Sequence, residues 1–161
     1  MRTLLFILLL PILSFFDSCC YKVDCLPATL EPALISFSPA EMDTLIFRKF
    51  DKGSNFQNPK DSIFINSGNI SLLYPYVQGD TTVFHTGRAY TYFKFEIQAG
   101  FDYEIFIPGA NKLVRIEDIE QRREETRHCF VSDGNDICIN PLASYKMDGE
   151  TKTTEYIYIK K

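Results

Sequence analysis

The feature that most constrains this chain is a two-residue rhythm. Tyr90 to Gln98 shows it best, with Tyr92, Lys94 and Glu96 falling on one face and Phe93, Phe95 and Ile97 on the other. Such alternation belongs to a strand with one face on a core. Shorter runs of the same kind are Ala33–Ser38, Thr44–Phe50, Ser62–Ile65, Thr81–His85, Asp102–Ile107 and Lys112–Ile116. A further run, Ile70–Tyr76, is cut by Pro75. Clusters of turn residues separate them, among them Asp51–Asn55, Asn66–Asn69, Gln78–Asp80, Thr86–Arg88, Ala99–Gly100 and Pro108–Gly109. In Thr44–Phe50 both faces are mixed, so one is expected to be only partly covered. Two Asp-Gly pairs, at 133–134 and 148–149, signal tight hairpins. Glu117–His128 is the one stretch open to helix. Its only apolar residue is Ile119, and a long exposed strand limb fits equally. Without long helical segments a parallel α/β sheet is excluded. Residues 33–161 are therefore expected to form an all-β fold, a single-domain antiparallel β-sandwich, with the immunoglobulin-like sandwich as one form that fits.

The N-terminus has another logic. Arg2 precedes an apolar run from Leu4 to Leu13, broken only by Pro11. The run matches the core of a secretory signal and falls short of the roughly 20 apolar residues that span a bilayer. Residues 1–18 are expected to be a signal peptide and residues 19–32, stiffened by Pro27 and Pro32, a tether. Removing residues 1–18 takes away one base and one acid, so the net charge stays at −4. That balance argues against nucleic acid as a partner. Five cysteines in an exported chain point to an oxidising compartment.

Phe16-Asp17-Ser18-Cys19 resembles the cleavage box of bacterial lipoproteins, in which a large apolar residue and a small one precede the acceptor cysteine. Asp17, and Phe16 where Leu is usual, depart from that pattern, and Cys20 is the rival acceptor. The resemblance implies a thioether-linked diacylglycerol on Cys19 and a further acyl chain, palmitate in kind, on its new amine. Two or more chains hold a protein stably on a membrane. The chain is also loosely similar to small lipoproteins of Bacteroidetes-type bacteria. This box, the run Asp43–Phe50 and the segment Cys129…Cys138-Ile139-Asn140-Pro141 carry that likeness. It implies a lipid anchor in the bacterial cell envelope, at the outer membrane on its periplasmic or surface side. It brings no catalytic residues, since none are established for such proteins.

With Cys19 acylated, Cys20, Cys25, Cys129 and Cys138 remain, and four cysteines allow three pairings. A two-residue hairpin centred on Asp133-Gly134 would set Ser132 opposite Asn135 and Cys129 opposite Cys138. The cysteine pair then falls at a non-hydrogen-bonded site with Cα atoms about 4.5 Å apart, at the short end of disulfide reach. A Cys129–Cys138 bridge is the expectation.

No nucleophile elbow, zinc-binding or phosphate-binding motif is present. Of the two histidines, His85 reads as a strand-end residue. His128 loses a catalytic partner if Cys129 is bridged. Asp133–Asp136 lacks the spacing and terminal Glu of a calcium loop. No catalytic residue, cofactor or metal is expected, and the chain is read as a non-enzyme. The candidate binding residues are Tyr76, Arg88 and Tyr90, in a stretch that gathers tyrosines, a histidine and an arginine around turns. The alternative for these tyrosines is cover for the core. The functional expectation is a membrane-anchored binding module for a protein or glycan, ahead of an assembly accessory of an envelope complex and of a hydrolase.

Overall fold

The computed structural model describes residues 20–66, 68, 75–85, 95–129 and 138–161. Their strands are β1 (Cys20–Asp24), β2 (Thr29–Ile35), β3 (Thr44–Asp51), β4 (Asp61–Asn66), β5 (Tyr76–Gln78), β6 (Thr81–Val83), β7 (Ile97–Gln98), β8 (Phe101–Ile107), β9 (Lys112–Gln121), β10 (Glu125–Cys129), β11 (Leu142–Met147), β12 (Glu150–Lys152) and β13 (Tyr156–Lys160). Among the described residues no helix is long and apolar enough to cross a membrane. The chain divides into two compact units, one of Pro27–Arg122 with Pro141–Lys161 and one of Met1–Leu26 with Arg123–Asn140.

The larger unit is a sandwich. One sheet runs β12-β11-β9-β8-β3-β4 and the other β13-β2-β6-β5, with β7 also pairing β2. Alternation sorts the side chains. Leu45 and Phe47 of β3, Tyr103, Ile105 and Ile107 of β8, and Val114 and Ile116 of β9 enter the core from the first sheet. Leu30 and Leu34 of β2 and Ile157 and Ile159 of β13 enter it from the second. Phe95 sits between, with its ring centroid 5.9 Å from those of both Phe47 and Tyr103. Phe95 and Ile97 are buried and Glu96 and Gln98 are not, as the period-two pattern requires. The mixed faces of Thr44–Phe50 also behave as expected. Ile46 and Arg48 on the outer face are only half-buried, while Phe50 is covered edge-on by Phe56 at 5.4 Å.

The Asp148-Gly149 hairpin forms as read. Met147 faces Glu150, and both turn residues have positive φ, 50° and 85°, as a type I′ turn demands. Gly109 is fixed by space, because a Cβ there would lie 2.7 Å from the Glu41 carbonyl oxygen.

The stretch Glu117–His128, left open between helix and strand limb, is strand in β9 as far as Gln121, where it pairs with β11, and again in β10 from Glu125. Three expectations are corrected. The second sheet is not wholly antiparallel, because β13 runs parallel to β2 after the chain crosses from the first sheet. The sandwich begins before residue 33, with β2 starting at Thr29, and residues 20–24 form a strand rather than a tether. Finally, Cys138 is bonded to Cys25 and not to Cys129. The hairpin centre at 130–137 lies outside the described residues.

The smaller unit explains that last correction. β1 and β10 pair antiparallel, with Lys22 and Glu125 in a 2.9 Å ion pair and Arg123 reaching Asp24. Beyond them Leu26 N–H donates to the Cys138 carbonyl and Asn140 N–H to that of Leu26, at 3.0 and 2.8 Å. The buried Asn140 amide donates to the Cys25 carbonyl at 3.3 Å and accepts from Glu124 N–H at 2.7 Å. This network holds residue 25 beside residue 138, with Cα atoms 5.0 Å apart across 113 positions of sequence. A bridge closing so long a loop stabilises by roughly 4–5 kcal/mol in the chain-entropy account. Backbone register also sets Cys20 opposite Cys129.

Two predictions follow from these contacts. A non-reduced peptide map is expected to join Cys25 to Cys138. A peptide joining Cys129 to Cys138 would overturn it. The second prediction concerns Tyr103, whose buried hydroxyl accepts from Gln98 N–H at 3.1 Å and donates to the Glu96 carbonyl at 2.9 Å. Burial raises its pKa, and burial also raises that of Tyr145. Both phenols therefore hold their protons more tightly when folded. The stability they contribute is complete below the ordinary tyrosine pKa of about 10 and lost as pH rises beyond it. Tyr103→Phe should cost about 1–3 kcal/mol by urea denaturation at neutral pH, since it strands the Gln98 N–H. It should also flatten the alkaline loss of stability. An unchanged alkaline slope would remove Tyr103 from that account.

Candidate functional site

The outward side of the second sheet is fixed by what its inward side buries. With Leu30, Pro32 and Leu34 turned in, β2 turns Glu31, Ala33 and Ile35 out. The same alternation on β13 buries Ile157 and Ile159 and exposes Tyr156, Tyr158 and Lys160. Register then builds rows across the strands. Tyr158 lies beside Ala33, Ala33 beside Val83 and Val83 beside Tyr76. Tyr156 lies beside Glu31 in the next row, where His85 Nδ1 is 3.0 Å from Glu31 Oε1. At a strand spacing of about 4.8 Å, the row from Tyr158 to Tyr76 is roughly 14 Å long.

These side chains line a shallow trough of about 360 Å³, bounded by Tyr76, Gln78, Thr81, Val83, His85, Tyr156 and Tyr158. The three rings are exposed by 56 % for Tyr76, 37 % for Tyr156 and 43 % for Tyr158. Tyr156 and Tyr158 stand with centroids 5.9 Å apart and planes inclined by 45°. Ala33, between Tyr158 and Val83 in the row, is fully covered by its neighbours. His85 places an imidazole among the rings, with the Glu31 carboxylate 3.0 Å from its Nδ1. The set can stack on an apolar face and exchange hydrogen bonds with hydroxyls or amides.

Tyr158 also borders a second hollow of about 430 Å³ at the edge where β12 and β13 leave the two sheets. Val114, Tyr145, Met147 and Ile159 line it, with Lys112, Lys152 and Lys160 around them. Both hollows have the size of ordinary ligand sites. Tyr145 secures this edge. Its buried hydroxyl donates to the Tyr156 carbonyl at 2.9 Å, and burial raises its pKa.

The outer face of the first sheet carries different chemistry. Glu104, 7 % exposed, accepts from Arg115 Nε at 3.0 Å and lies 3.3 Å from Arg48, in one row across β3, β8 and β9. The guanidinium of Arg115 also stacks over Phe56 at 4.8 Å. The row beyond it is apolar, running Phe64, Ile46, Phe106 and Leu113, with Phe64 55 % and Leu113 41 % exposed.

Of the expected binding residues, Tyr76 is at the surface and does not cover the core. Arg88 and Tyr90 lie outside the described residues, as does the acylation candidate Cys19. Reading the sequence missed Tyr156, Tyr158 and Glu31. The segment Tyr156–Lys160 alternates cleanly and signals a half-buried strand, but its neighbours depend on a pairing with residues 31–35 that no local pattern encodes. Among the described residues no group of three or more His, Cys, Asp and Glu side chains is arranged to hold a metal ion.

A scan of protein-family models and searches of curated proteins and of solved structures found no match to this chain.

The two tyrosine environments make distinct predictions. Tyr76→Ala should shift folding free energy by no more than about 0.5 kcal/mol, as at an ordinary surface position. Tyr145→Phe should cost about 1 kcal/mol, because the Tyr156 carbonyl loses one of its two hydroxyl donors and keeps only that of Thr154. Thermal melts of the two variants check this, and a Tyr76→Ala loss as large as that of Tyr145→Phe would make Tyr76 structural.

Proposed function

We propose that this protein is a lipid-anchored envelope protein that works as a non-enzymatic binding module, taking a protein or glycan on its tyrosine face. The observation that carries this reading is the grouping of Tyr76, Tyr156 and Tyr158 on one open side of a sheet. Tyrosine gives a flat apolar surface and a hydroxyl at small entropic cost, and exposed rings gathered on one side are unusual for an idle surface. A β-sandwich supplies the rigid frame such a face needs. The anchor rests on the apolar run Leu4–Leu13 and on Ser18-Cys19, and it places the protein in the bacterial envelope.

Metabolic labelling with a fatty-acid analogue tests the anchor. Cys19→Ser is expected to abolish labelling and release the chain from membranes, and unchanged labelling would end the assignment. Capture on glycan arrays and from envelope extracts tests the face. Tyr76→Ala combined with Tyr158→Ala should lose capture while melting within a few degrees of the parent. Undiminished capture would move the site elsewhere.

A second reading, an assembly accessory in an envelope complex, is favoured by the apolar row Phe64–Ile46–Phe106–Leu113 on the opposite sheet. Under that reading Leu113→Asp, not the tyrosine changes, dissociates a stoichiometric partner.

A further inference from the structure

The trough and the lysine-lined hollow meet at Tyr158, which borders both. Their charges differ. Among the described residues the trough has no carboxylate in its lining, and its His85 is paired with Glu31. The hollow gathers three ammonium groups, of Lys112, Lys152 and Lys160, against one carboxylate in its lining, Asp148. Asp148 is already engaged, accepting the backbone N–H of Arg115 at 2.9 Å. Lys152 is held by Glu150 at 2.7 Å, and that hydrogen bond raises the lysine's pKa. Among the described residues Lys112 and Lys160 enter no ion pair. Two cations thus flank an apolar-floored hollow on a protein whose net charge is −4. Cations set in that way favour a ligand that brings its own negative charge.

We infer that the two hollows form one continuous site for an acidic glycan, whose sugar rings lie on Tyr76, Tyr156 and Tyr158 while a carboxylate or sulfate of a neighbouring residue meets Lys112 and Lys160. The inference rests on the reading of the tyrosine face as a binding surface and adds the charge of the ligand. The geometry favours a saccharide over a peptide for two reasons. The trough is on an open sheet face some 14 Å long, which suits a ribbon of rings lying flat. Its polar groups, Gln78, Thr81, His85 and the tyrosine hydroxyls, are side chains able to exchange hydrogen bonds with a set of hydroxyls.

Calorimetric titration of the whole chain in detergent micelles tests this with three probes. They are a hexamer of galacturonic acid, the same hexamer fully methyl-esterified, and hexaglutamate. The free acid should bind about tenfold or more tightly than its ester, with affinity falling as salt is added. Lys112→Gln with Lys160→Gln should erase that preference and leave ester binding unchanged. Tyr158→Ala should weaken both sugars. Equal binding of acid and ester would overturn the acidic-glycan assignment while leaving the tyrosine face a binding surface. Hexaglutamate binding as tightly as the acidic sugar would overturn the saccharide part. Binding of none of the three would overturn the inference. If the tyrosine double variant nevertheless loses capture from envelope extracts, the broader reading survives that result. A thermal melt of each variant confirms that the effects are not unfolding.

Discussion

Side chains on a strand alternate between faces, and in this protein that constraint links the core to everything outside it. Burying Leu30, Leu34, Ile157 and Ile159 turns Glu31, Ala33, Tyr156 and Tyr158 outward with no further freedom. Slipping β13 by one residue against β2 would put two tyrosines in the core and two isoleucines in water. Each buried isoleucine or leucine contributes on the order of 1.5–3 kcal/mol, so that slip is strongly opposed. The surface is therefore held in place by the packing energy beneath it.

The parallel pairing of β13 with β2 is what gives the tyrosine face its width. A chain of consecutive antiparallel hairpins would keep Tyr156 and Tyr158 on the sheet that holds β11 and β12. Here the segment after Lys152 crosses to the other sheet, and the Tyr145 hydroxyl grips the Tyr156 carbonyl at the crossing. One buried phenol thus ties the two sheets together at the edge where the lysine hollow opens. The hollow and the trough share this origin, which is why Tyr158 borders both.

The two sheets carry different chemistry on their outer faces, although Phe64 on the first is as open as Tyr76 on the second. On the first, the buried carboxylate of Glu104 is compensated by two guanidiniums, and Phe56 packs over Phe50. Charges removed from water need such partners. On the second, the aromatic rings remain open to solvent. The smaller unit follows a third scheme, a short two-stranded ladder locked by a disulfide and by the hydrogen bonds of Asn140. A two-stranded ladder of that size is marginally stable alone, and the disulfide staples it.

By itself the sequence determined the class of fold, most of the strands and the tight turn at Asp148-Gly149. All are local, written in the alternation of neighbouring residues and in the positive φ that Asp and Gly tolerate. For Tyr76 the flanking turn residues left surface display and core cover both open, and the folded chain exposes the ring. Tertiary structure alone decided which strands are neighbours. The partner of Cys138 lies 113 positions away, and the Asp133-Gly134 pattern pointed to the nearer Cys129. Tyr158 reaches the same row as Tyr76 only through β2 and β6. Strand pairing is made by backbone groups that every residue except proline carries in full, so the hydrogen bonds themselves encode no address. The choice among pairings falls to the packing of the whole core, and that is a property of the folded chain rather than of any segment in it.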